Sequence, residues 1–98
     1  MRLTDHEVAA IKAAAREAFG ETAVVRLFGS RVDDTIEGGD VDLHVEANPL
    51  PDMPRKRFDF VMALYRRLHH DKIDVIVSQR GGTPRGFERI AYRDGIIL

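Results

Sequence analysis

Apolar side chains recur along this chain with two different periods, and the changes of period mark out its elements. Near the start, Val8, Ile11, Ala15 and Ala18/Phe19 come round at helical spacing and form one apolar face. Thr4-Asp5-His6-Glu7 fits a capping box, in which Thr4 and Glu7 satisfy each other's orphan backbone donors. Leu3 and Val8 stand where a hydrophobic staple places them, and Gly20 suits a left-handed cap at the helix end. Thr22 to Phe28 is rich in Val and closed by Gly29, which predicts a short strand. The stretch Gly29 to Gly39 is polar and glycine-punctuated, a loop with room for one helical turn. Val41 to Glu46 then alternates strictly. Val41, Leu43 and Val45 share one face, with Asp40, Asp42, His44 and Glu46 on the other, as in a half-buried strand.

Asn48-Pro49-Leu50-Pro51 breaks the chain, and Asp52 with Pro54 starts a second long helix. Its expected core face is Phe58, Val61/Met62, Tyr65 and Leu68. Ile73 to Val77 is apolar enough for an internal strand. Gly81-Gly82 is a loop, Thr83-Pro84 caps a last helix running to about Arg93, and Asp94-Gly95 ends it before the apolar tail Ile96-Ile97-Leu98. The order helix, strand, strand, helix, strand, helix predicts an α/β (α+β) domain, a small mixed sheet with helices packed on it. Strands one and two are joined too briefly for a parallel crossover, so that pair is expected to be antiparallel.

The 98 residues are expected to form a single domain over 1–98, too small to hold a second substrate-binding domain. A net charge of −1 predicts neither nucleic-acid nor membrane attraction. The absence of cysteine excludes disulfides and thiolate metal sites and fits a reducing cytoplasm. No apolar run reaches the roughly 20 residues of a membrane span, and there is no signal-like N-terminal region. The base expectation is a cytoplasmic domain.

Candidate chemistry changes that picture. Asp40 and Asp42 are two apart on a strand, so both side chains leave the same face. Carboxylates so close repel each other unless a cation sits between them, and magnesium takes a few carboxylates with water and substrate phosphate. Asp74 is a lone acid within Ile73-Asp74-Val75-Ile76-Val77, on the face of Ile76 and Ser78. Placed on a neighbouring strand, it completes a carboxylate cluster for two metal ions. Gly29-Ser30-Arg31 directly follows a strand, where glycine lets backbone amides approach a phosphate, Ser30 adds a hydroxyl and Arg31 a charge-assisted donor. Each signal alone has a plain alternative in a solvated strand face, a strand-end acid or an ordinary turn. Their order and spacing make the combination specific.

Through Leu27-Phe28-Gly29-Ser30-Arg31, Gly38-Gly39-Asp40-Val41-Asp42-Leu43 and Lys72-Ile73-Asp74-Val75, the chain resembles the minimal nucleotidyltransferases of the DNA polymerase beta superfamily. The resemblance spans nearly the whole chain and implies their polymerase beta palm-like fold. It also implies that Gly29, Ser30 and Arg31 bind the nucleotide, and that Asp40, Asp42 and Asp74 are the catalytic acids and ligands of two magnesium ions. The implied reaction is in-line attack of a hydroxyl on the α-phosphorus of ATP, with release of pyrophosphate. Small bacterial members are often encoded beside a helical HEPN ribonuclease toxin, which they adenylylate on a tyrosine. The implied function is therefore that of an AMP-transferring antitoxin with a HEPN-type partner, in a homo- or hetero-oligomer. Its alternative is a non-catalytic antitoxin of the same fold that acts by binding alone. Many relatives read G-S-x-A-x-G, whereas this chain has Val32-Asp33-Asp34, read here as solvated loop residues.

The remaining features have plain readings. Arg55-Lys56-Arg57 and Arg66-Arg67-His69-His70 are taken as solvated helix surface. His44 is expected at the rim of the acidic face, Tyr65 in the core, and Tyr92 in helix packing. An exposed apolar tail hints at a partner surface.

Overall fold

The computed structural model describes residues 3–29, 40–69 and 72–98. Helix α1 (Asp5–Phe19) begins as its sequence dictates: Glu7 N–H donates to Thr4 Oγ1 at 3.1 Å and Thr4 N–H to Glu7 Oε1 at 3.0 Å. Gly20 ends it at φ +97°, a region that costs a glycine nothing. The strands β1 (Val24–Phe28) and β2 (Val41–Ala47) follow, then α2 (Met53–Arg67), β3 (Ile73–Gln79), α3 (Phe87–Asp94) and β4 (Ile96–Ile97). The result is the expected small mixed α+β domain, three helices packed on a four-stranded sheet of order β3-β2-β1-β4.

β1 and β2 are antiparallel, as their short connection requires, while α2 carries the chain over to β3, parallel to β2. Odd-numbered positions of the first three strands, including Leu27, Leu43 and Val75, face α1 and α2. There they bury against Ile11, Ala15, Phe19, Phe60 and Leu64. The Phe19 and Phe60 rings meet edge to face at 5.5 Å. Burial of each such side chain contributes roughly 1.5–3 kcal/mol, which makes this one face the main source of stability. Among the described residues no helix is long and apolar enough to cross a membrane.

Three expectations are corrected and a fourth is qualified. The buried side of α2 is Phe60, Ala63 and Leu64 (with Leu68 just beyond), whereas Phe58, Met62 and Tyr65 are exposed. Both sets have helical spacing, and burial in the sheet can use only one. β3 is an edge strand rather than an internal one, sealed by α2: Ile73 N–H donates to the Tyr65 hydroxyl and Arg57 Nε to the Val75 carbonyl. α3 starts at Phe87 rather than at Thr83-Pro84, because Gly86 holds φ +54° and breaks the backbone just before it. The apolar tail is exposed as expected at Ile97, 62% of whose surface is open, but its backbone is tied into the sheet. Ile96 and Ile97 pair antiparallel with Leu27 and Arg26, and Leu98 N–H donates to the Val25 carbonyl.

Candidate carboxylate site

One row across the sheet carries the site. Phe28 on β1 faces Asp42 on β2, which faces Asp74 on β3. All three side chains leave the face opposite the α1/α2 core, because the period of two sends Val41, Leu43, Ile73 and Val75 inward. Asp40 and Lys72 sit just before β2 and β3, where Val41 N–H donates to the Lys72 carbonyl and extends the parallel ladder. The parallel register thus brings together the three acids that are separated in sequence. Asp74 is more than half exposed.

The electrostatics are those of crowded like charges. Burial pushes the Asp42 carboxyl above its ordinary value, and Asp74 and then Asp40 push it further, with Lys72 partly offsetting them. The Lys72 ammonium lies 3.6 Å from Asp40 Oδ2 and 3.9 Å from Asp74 Oδ2, a monovalent cation drawn into the acidic edge. Among the described residues no three acidic or histidine side chains converge closely enough to enclose a metal ion as they stand. The donor set nevertheless suits magnesium, which takes few protein carboxylates and fills its shell with water and phosphate. Asp40, Asp42 and Asp74 are the residues that would hold it.

Gly29 closes the site from β1. Its φ is +77°, and a Cβ there would collide with Asp42 Oδ2. Backbone and space thus both favour glycine. Ser30 and Arg31, the other expected nucleotide-binding residues, lie outside the described residues, as do Val32-Asp33-Asp34 and Gly38-Gly39.

Beside the acids opens a cleft of about 490 Å³, lined mainly by apolar side chains. Its floor is Phe28, Asp42, Asp74 and Ile76 on the sheet, its wall is Phe87 and Ile90 of α3, and Arg57 reaches in from α2. A cavity of this size, apolar with a few convergent charges, fits an ordered small molecule or an inserted side chain.

Further along the same face the expected polar rim is absent. His44 is fully buried, because α3 folds over this half of the sheet. Its Nε2 is 2.8 Å from Ser78 Oγ, and the Tyr92 ring stands edge-on to it at 4.7 Å. Tyr92 therefore packs within the domain, with the Arg26 guanidinium 4.6 Å from its ring centre. Burial, then Arg26, lowers the His44 pKa, and Glu46 and Glu88 oppose the shift. The Glu46 carboxylate pairs with Arg26 at 3.0 Å and lies 3.5 Å from Arg80. Sequence reasoning missed this cluster. The available signal was the helical spacing of Glu88 and Tyr92, which gives α3 a polar side able to meet His44.

Neither comparison of the chain with protein-family models nor comparison with curated proteins finds a match.

Proposed function

We propose that this domain is a magnesium-dependent nucleotidyltransferase that transfers AMP from ATP to a hydroxyl of a partner protein in the cytoplasm. The observation that supports this reading best is the pairing of Asp42 with Asp74 across β2 and β3, with Asp40 alongside and Gly29 opposite. When bound, the divalent metal neutralises charge on the attacking and leaving oxygens. Asp40 and Asp42 would hold that ion at the triphosphate end of the substrate. The acceptor oxygen forms a bond to the α-phosphorus as the bond to pyrophosphate breaks. Asp74, the most accessible of the three acids, takes the hydroxyl proton and passes it to solvent. Phe87 and Ile90 offer an apolar wall beside the acids. The partner implied by the resemblance is a helical HEPN-type protein.

A second reading has its own support. Lys72 offsets part of the charge of Asp40 and Asp74 without any divalent ion, which suits an antitoxin of the same fold that works by binding alone.

The test is label transfer from α-labelled ATP, with magnesium, into proteins of a lysate of the source cells, wild type beside Asp42→Asn. The expected result is a labelled band that Asp42→Asn abolishes. No band, together with no magnesium-dependent ATP binding by calorimetry, would overturn the enzyme reading in favour of occlusion.

A further inference from the structure

We propose that the outer face of α2, with the groove it forms against α1, is a docking surface for an acidic amphipathic helix of a partner protein. This inference does not depend on the carboxylate site, which lies on the other side of the sheet.

Helix α2 carries two apolar stripes, and the fold uses one. The other, Phe58, Met62 and Tyr65, runs i, i+4, i+7 along the outside, with 54%, 38% and 41% of the respective residue surfaces exposed. Beside it a groove of about 500 Å³ runs between the helices. Ala14, Ala18 and Ala63 make its floor, so another helix can approach closely, and Phe58 and Met62 flank it. Anchors at this spacing in a concave groove are how a helix is received.

Charge identifies the occupant. The groove is lined by the cations Arg55, Lys56 and Arg66 against the acids Glu17 and Asp59, a local excess of positive charge in a chain whose net charge is −1. Among the described residues Arg55 forms an ion pair only with Asp59 of its own helix, at 3.0 Å, and both side chains are about half exposed or more. Such an exposed pair is readily exchanged for another carboxylate. Among the described residues Lys56 and Arg66, at the groove, make no ion pair, so the groove offers cations in want of anions. A second copy of this chain would bring the same excess of cations to the contact. An anionic lipid surface would leave the alanine floor uncovered and press Glu17 and Asp59 against like charge. A helix with one apolar stripe flanked by Glu or Asp meets every requirement.

The test uses a fluorescein-labelled synthetic helix of about 18 residues, roughly five turns. It carries Leu at i, i+4, i+7 spacing with Glu flanks, and a control carries Lys in place of Glu. Fluorescence anisotropy should give a dissociation constant on the order of micromolar for the Glu peptide. Phe58→Ser with Met62→Ser should weaken it about tenfold or more. Arg55→Glu with Arg66→Glu should abolish it and confer binding of the Lys peptide. All four side chains are exposed, and circular dichroism checks that each variant keeps its fold. No binding of the Glu peptide, or equal binding of both peptides by wild type, would overturn the proposal. So would a dimer in sedimentation velocity that Phe58→Ser/Met62→Ser dissociates, which assigns the face to a second copy. Co-flotation with phosphatidylcholine/phosphatidylserine vesicles that is lost in the same variant would assign it to lipid.

Discussion

The carboxylate of Asp42 occupies the space that a side chain on Gly29 would need. A Cβ at residue 29 would strike Asp42 Oδ2, and the residue holds φ +77°, so backbone and space both favour glycine there. Gly29→Ala should lose about 1–2 kcal/mol for the left-handed backbone alone, plus a further loss from moving Asp42. Urea unfolding separates the two losses. Asp42→Ala in the same chain should recover only the collision, giving a coupling energy of roughly 0.5 kcal/mol or more. Strict additivity would mean that the carboxylate moves aside freely.

Lys72 occupies the acidic edge that a divalent ion would use. Its ammonium is within 4 Å of both Asp40 and Asp74, where two unit charges interact by about 1 kcal/mol in water. Lys72→Met should therefore tighten Mn²⁺ binding about fivefold, measured by calorimetry or by loss of the free-ion paramagnetic signal. Unchanged affinity would place the ion away from Asp40 and Asp74.

Burial of His44 predicts a specific loss of stability in acid. Its folded pKa is lowered, first by burial and then by Arg26, from an ordinary value of 6.5. The unfolded chain therefore takes up a proton near that pH while the folded chain does not. Stability from this group is complete above 6.5 and is lost as pH falls toward the folded value. The urea midpoint should be flat from about pH 8 to 7 and decline as pH falls below the ordinary histidine value of 6.5. His44→Gln should remove that part of the slope, and parallel profiles for the two proteins would refute the assignment.

What the sequence made legible is what local chemistry decides. The capping box at Thr4 and Glu7, the alternation of β2 and the antiparallel β1-β2 pair all follow from residues close together in the chain. The meeting of Asp42 and Asp74 was also legible, through the combination of Gly29-Ser30, Asp40-Val41-Asp42 and a later lone acid rather than through any burial of Asp74, which is more than half exposed. The misreadings depend on long-range packing. His44 looked like a rim residue because nothing near it in sequence shows that α3 folds over the sheet. The pairing of the tail with β1 was missed because a two-residue strand carries no periodicity and its partner is specified from elsewhere in the fold. β3 looked internal because α2 shields its edge and permits an apolar composition there.

The face of α2 allows a direct trial of the packing. Phe58 and Phe60 are two residues apart, about 200° around a helix, so only one can face the core. Phe60 is fully buried and meets Phe19 edge to face, whereas the Phe58 ring lies out beside Arg55, 5.6 Å from its guanidinium. Phe60→Ala should cost about 3–5 kcal/mol through lost burial and the cavity left behind. Phe58→Ala should cost less than about 0.5 kcal/mol, the usual scale of surface changes. Denaturant unfolding of the two variants decides between the stripes. A large loss from Phe58→Ala with a small one from Phe60→Ala would rotate α2 by half a turn and remove the exposed stripe on which helix docking depends.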